Sequence, residues 1–124
     1  MRYTLDCTTA ENHLRIRVDG EWPKVHPEGI IAEIQDLLAR HQSLRLLLDL
    51  RNMQSEPTPF GDYKELGLLL KAELAKVRIA ALDAPDRRGA NQFFETMAFN
   101  RGLQIHFFYG DEQDATDWLE SDRR

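Results

Sequence analysis

Ser55 and Thr58 are the side chains of this sequence best placed for a chemical event. Both precede a helix start, where a phosphoryl group would meet the positive end of the helix dipole. Thr58 also reads as a plain helix cap, with Pro59 at the first helical position. Basic and aromatic residues fall in comparable places: Trp22, Arg51, Phe60, Arg87, Arg88 and Tyr109 all lie in or beside segments that follow strands. Together they would suit a small acidic or amphipathic ligand, held by guanidinium groups, ring faces and free helix N–H groups.

No catalytic constellation accompanies them. The sequence has no Gly-x-Ser-x-Gly elbow, no Gly-x-Gly-x-x-Gly loop and no phosphate loop ending in Gly-Lys-Ser. His13, His26, His41 and His106 fall on different elements and lack ligand spacing, so no metal or cofactor is expected. Cys7 has acidic or neutral neighbours and reads as structural. Asp49 ends a buried strand, where a carboxylate most often bonds to the N–H groups of the next turn.

The elements that must position these residues are legible from periodicity. Arg2–Thr8 and Leu14–Asp19 read as strands, the second alternating Leu14, Ile16 and Val18 with Arg15, Arg17 and Asp19. A short turn between them predicts an antiparallel hairpin. A helix follows Pro27, with Ile30, Ile34, Leu37, Leu38 and His41 on one face. Leu44–Leu50 reads as a strand around the uninterrupted apolar run Leu46-Leu47-Leu48, as expected of a strand buried on both faces. A second helix is predicted from Thr58 to about Lys76, a strand over Val77–Leu82, and a third helix from Arg87 to Asn100, stopped by Gly102. Gln104–Tyr109 is the last strand, and Asp111 caps a short final helix that buries Ala115, Trp118 and Leu119. The alternation predicts an α/β fold: a mostly parallel five-stranded sheet flanked by four helices, its first strand antiparallel, in a single domain over residues 1–124.

Composition narrows the function. The 124 residues carry a net charge of -5, 42% are apolar and 30% charged. An acidic chain lacks the positive field that holds phosphate backbones, so nucleic acid is not an expected partner. The same charge limits any membrane contact to a peripheral one. A lone cysteine, no visible signal peptide and no long apolar run place the chain in the cytoplasm as an expectation.

In an open parallel sheet, ligands gather beyond the carboxyl ends of the strands. Gly20–His26, Arg51–Pro57, Asp83–Arg88 and Tyr109–Asp111 are expected to meet there. A second feature is apolar excess. Phe60, Tyr63, Leu66, Leu70 and Leu74 form one stripe of the second helix, Leu68 and Leu69 widen it, and the third helix carries Phe93, Phe94, Met97 and Phe99. A surface helix needs one stripe only. The surplus fits core packing first, and otherwise a lid over a greasy pocket, a protein-partner surface or a membrane contact; a homodimer through the second helix is a further option.

The strand ending Leu-Leu-Leu-Asp-Leu-Arg (46–51), the strand Val-Arg-Ile-Ala-Ala-Leu (77–82), Phe-Phe-Glu-Thr-Met-Ala (93–98) followed by Arg101-Gly102, and the closing Asp-Ala-Thr-Asp-Trp-Leu (114–119) together resemble the SpoIIAA-like group of the STAS superfamily. The likeness covers nearly the whole chain and its motifs are structural. It implies a central sheet flanked by helices and a switch or interaction role. Antagonist members carry a phosphorylatable serine in an Asp-Ser-Ser-Gly-type motif where a helix follows a core strand. Here the stretch is Asn52-Met53-Gln54-Ser55-Glu56-Pro57-Thr58-Pro59-Phe60-Gly61, without that motif. The resemblance in fold to lipid-binding domains of the CRAL-TRIO type also implies a hydrophobic ligand between helices two and three and the sheet. The leading expectation is a non-enzymatic domain binding a small amphipathic or lipid-like ligand through Trp22, Arg51, Phe60, Tyr63, Arg87, Arg88, Phe94 and Tyr109. The alternative is a STAS-type regulatory protein–protein interaction module.

Overall fold

A computed structural model of the chain describes residues 3–23, 27–53, 67 and 74–121. Five strands form one sheet in the order β1-β2-β3-β4-β5: β1 (Tyr3–Thr9), β2 (Leu14–Gly20), β3 (Arg45–Asp49), β4 (Arg78–Leu82) and β5 (Gln104–Phe108). β1 is antiparallel to β2, with Cys7 opposite Ile16, and every later pairing is parallel. That is the expected mixed sheet. Three α-helices are described: α1 (Glu28–Arg40), α2 (Arg88–Asn100) and α3 (Glu112–Glu120). The helix expected over Thr58–Lys76 falls mostly outside the described residues. Its expected end, Leu74–Lys76, is a single 3-10 turn instead.

The sheet has two unlike faces because strand side chains alternate. On one face Leu14, Ile16 and Val18 of β2, Leu46 and Leu48 of β3, Ile79 and Ala81 of β4, and Ile105 and Phe107 of β5 pack against Ile30, Ile34 and Leu38 of α1 and Phe94, Met97 and Ala98 of α2. On the other face α3 sets Ala115 and Leu119 on Leu47, Ala80 and Leu82. β3 and β4 are therefore covered on both sides, which explains their unbroken apolar runs. The opposite face of β2 carries Arg15 and Arg17 instead.

Helix ends are set locally. Asp111 caps α3 by accepting the Gln113 N–H at 3.0 Å, as its position in the sequence suggested. α2 ends in a Schellman turn: Leu103 N–H donates to the Ala98 carbonyl and Gly102, at φ +85°, donates to Phe99. α1 ends the same way through Ser43 and Gln42, with Gln42 at φ +51°, a region that favours glycine. The third helix starts one residue later than expected, at Arg88, because Pro85–Arg87 form a 3-10 turn that directs the Arg87 side chain inward.

Candidate functional site

The carboxyl ends of the parallel strands carry three arrangements of polar side chains. The first is a buried clamp. Arg87 is 7% exposed, Asp83 1% and Asn91 0%. The Arg87 guanidinium donates to Asp83 Oδ1 at 2.5 Å, to the Leu50 carbonyl at 3.4 Å and to the Met53 carbonyl at 3.0 Å. Asn91 Nδ2 donates to the other Asp83 oxygen at 2.8 Å, and the Ala84 N–H closes the set at 2.8 Å. One cation thus ties the β4–α2 turn to the segment leaving β3. Met53 is held from the other side by a parallel bridge to Gly20.

The second is an ion network under α3. Arg51 grips Asp49 with Nε and Nη2, both at 2.9 Å, and Arg15 reaches the same carboxylate at 2.8 Å and Glu112 at 3.0 Å through two nitrogens. Burial alone would raise the pKa of Asp49. The hydrogen bonds and charge of Arg51, with the charge of Arg15, outweigh burial and hold it below the usual carboxylate range. Glu112 is held down chiefly by its bond from Arg15. Asp49 also accepts the Arg51 backbone N–H at 3.1 Å, the turn-closing role expected of it.

The third is a surface platform, its cation exposed and its ring half-buried. Arg88 lies over the Tyr109 ring at 4.5 Å, a cation–π contact. Burial pushes the Tyr109 phenol above its ordinary pKa.

These positions sort the expected ligand residues. Arg88 and Tyr109 are brought together; Arg88 is exposed, and Tyr109 is half-buried against the core. Arg51 is exposed but engaged with Asp49. Arg87, expected on the ligand surface, is instead buried in the clamp, because Asp83 and two backbone carbonyls need its charge. Phe94 is 0% exposed and packs in the core. Trp22 is also core, 3% exposed, beside a cavity of about 10 Å³ lined by Ile34, Leu46, Leu48, Leu74, Ile79 and Ile105. That volume is at the lower limit for one water and admits no lipid chain. Phe60, Tyr63, Ser55 and Thr58 lie outside the described residues.

Arg15, Asp83, Asn91 and Glu112 were not singled out from sequence. Asp83, Arg87 and Asn91 recur every four residues across the start of a helix, a spacing that could have revealed the clamp. Arg15 and Glu112 are brought to Asp49 by sheet register and helix docking, and no local pattern marks them.

The histidines are paired separately. His13 Nδ1 lies 2.9 Å from Glu120, and His106 Nδ1 2.9 Å from Glu95. Among the described residues, no cluster of three His, Cys, Asp or Glu is arranged to hold a metal ion, and no helix is long and apolar enough to cross a membrane.

No protein-family model matches the sequence, and no curated protein matches it. Solved structures do match. An anti-sigma factor antagonist from Mycobacterium paratuberculosis superposes with a TM-score of 0.63 at 14% identity, over 97% of this chain and 96% of that one. A protein from Shewanella loihica with a SpoIIAA-like fold gives a TM-score of 0.60 at 16% identity, over 94% and 93%. The anti-sigma factor antagonist SpoIIAA in its unphosphorylated form gives 0.54 at 19% identity, over 97% and 99%. The chain therefore has a SpoIIAA-like, STAS-type fold spanning essentially its whole length.

Proposed function

We propose that this chain is a STAS-type regulatory module that acts by binding another protein and performs no chemistry of its own. The observation that carries the reading is the full-length likeness to anti-sigma factor antagonists. The site geometry is compatible with it. The carboxyl edge is held from beneath by Arg87, presents Arg88 on Tyr109 outward, and leads into the stretch containing Ser55 and Thr58. A fixed edge that carries an exposed cation on a half-buried ring suits a docking surface. By analogy with those neighbours, the partner class is an anti-sigma factor or a protein with an equivalent surface, and Ser55 or Thr58 is the place where a phosphate would alter docking.

The small-ligand reading has less behind it. The cavity beside Trp22 is too small for a ligand, and the expected greasy pocket beneath the second helix involves residues outside those described. A thermal-shift series with fatty acids and lipids would revive it by raising the melting temperature.

The test of the regulatory reading is affinity capture with the full chain as bait. Wild type should retain a discrete protein, with Arg88→Glu losing it and Thr58→Glu changing its yield. Identical profiles for all three baits would reject the reading.

A further inference from the structure

β1 ends the sheet on the side away from β5. Ala10 N–H donates to the His13 carbonyl at 3.0 Å, which fixes the phase of the antiparallel ladder between β1 and β2. Thr4, Asp6 and Thr8 therefore exchange bonds with β2, while Tyr3, Leu5, Cys7 and Thr9 turn N–H and carbonyl outward. Among the described residues nothing takes those outward groups. The opposite border is guarded: Phe107 N–H is spent on Glu95 and Leu103 N–H on Ala98. Open borders are normally blunted by lysine, proline or a bulge. β1 reads Tyr-Thr-Leu-Asp-Cys-Thr-Thr, contains none of these, and pairs with β2 without a break over its 7 residues.

The side chains of this border fit a second copy in one register. Tyr3, Leu5 and Cys7 form a half-buried apolar row packed on the core, and Thr4, Asp6 and Thr8 stand exposed on the other face. Asp6, the one charge of the strand, already has Arg17 at 3.4 Å, so the border leaves no charge to be neutralised from outside. The outward groups allow a central twofold axis at Leu5, Asp6 or Cys7. At Asp6, the carboxylate would stand directly opposite its own copy, a like-charge opposition that destabilises a strand pair. At Cys7, Leu5 would face Thr9 and the two apolar rows would slide apart. At Leu5, the rows coincide and Asp6 falls beside a threonine hydroxyl. One surface then carries both halves of each contact, as a twofold interface requires.

We infer that β1 pairs antiparallel with β1 of a second copy of this chain, across a twofold axis at Leu5, so that two five-stranded sheets become one. Leu5 N–H and carbonyl bond to Leu5 of the partner subunit. Tyr3 exchanges the same bonds with Cys7 of the partner subunit, and Cys7 with Tyr3 of the partner subunit. Asp6 lies beside Thr4 of the partner subunit. This border is across the sheet from the Arg88–Tyr109 platform, and the inference does not rest on the reading of the chain as a regulator.

Sedimentation equilibrium of the full chain over about 1–200 µM tests it, a range that brackets weak interfaces of small area. The expected result is a reversible dimer of twice 14.4 kDa. Leu5→Pro removes an N–H that the ladder with β2 does not use, so the far-ultraviolet spectrum should be unchanged. The same change removes both bonds at the axis and should weaken the dimer at least about tenfold. Cross-linking reads the register. Leu5→Cys in a Cys7→Ser chain should form an intermolecular disulfide under mild oxidant, because directly paired Cα atoms about 5.5 Å apart lie within disulfide reach. The wild-type chain, with Cys7 opposite Tyr3 of the partner subunit, should not cross-link. If Leu5→Pro fails to fold, the cross-link decides. A wild-type monomer across the range overturns the inference, including one whose border takes up an unrelated extended peptide. So does a dimer indifferent to a folded Leu5→Pro, which would lie on another face, or one that cross-links through wild-type Cys7 and not through Leu5→Cys.

Discussion

Arg87 and Asp83 form an ion pair four residues apart that is almost wholly inside the protein, 8% and 0% accessible at the side chains. The pair joins two loops and has no solvent to fall back on. Arg87→Met should leave the Asp83 charge buried and unpaired, at a cost of about 3–5 kcal/mol. Urea unfolding would measure it. Adding Asp83→Asn should return about 1 kcal/mol or more, because the two losses are not independent. Additive losses would mean that the pair is not coupled.

The acid limb of stability should depend on Asp49. Its folded pKa is depressed, so its contribution is present above the unfolded value and is lost as pH falls through the folded one. Asp49→Asn should therefore destabilise the chain at neutral pH, by about 1–3 kcal/mol, and have progressively less effect below about pH 4. Chemical denaturation at several acidic pH values tests this; a constant difference at every pH would refute it.

His106 behaves in the opposite sense. Its hydrogen bond to Glu95 raises its pKa above the ordinary 6.5, so the pair's contribution is complete below that value and fades as pH rises through the folded pKa. His106 is 45% accessible at its side chain, so screening limits the effect to under about 1 kcal/mol. Glu95→Gln should lower the melting temperature more at pH 6 than at pH 9. Equal losses at both would show that Glu95 acts only as the acceptor for Phe107.

Gln42 holds a left-handed conformation at the end of α1. Gln42→Gly should remove strain of about 1–2 kcal/mol, partly offset by the greater freedom of glycine in the unfolded chain. A net gain of about 0.5–1 kcal/mol in thermal or urea unfolding is expected. No gain would mean that the Gln42 side chain contributes contacts of its own.

Much of this fold was legible because each element carries a local signature. The alternation of Leu14, Ile16 and Val18 with arginines, the unbroken apolar run through Leu46–Leu48, the cap at Asp111 and the stop at Gly102 each report a constraint felt within a few residues. The site was less legible. Arg87 and Arg88 are neighbours of the same type, yet one turns into the core and the other onto Tyr109, a difference decided by Asp83 and by carbonyls more than thirty residues away. Trp22 and Phe94 read equally well as ligand contacts or as core, since an aromatic ring serves both, and only the depth of burial separates them.

The two tryptophans sit on opposite sides of the sheet. Trp22 is sealed beside its small cavity on the α1 and α2 side, and Trp118 is half-buried on the α3 side, with the Arg78 guanidinium 4.0 Å above its ring. The molecule thus carries one optical reporter for each layer. A blue-shifted emission that acrylamide barely quenches should belong to Trp22, and an accessible, cation-perturbed emission to Trp118. With single Trp→Phe variants, the order in which the two signals change during unfolding would reveal whether the layers on either side of β3 and β4 melt together or in turn.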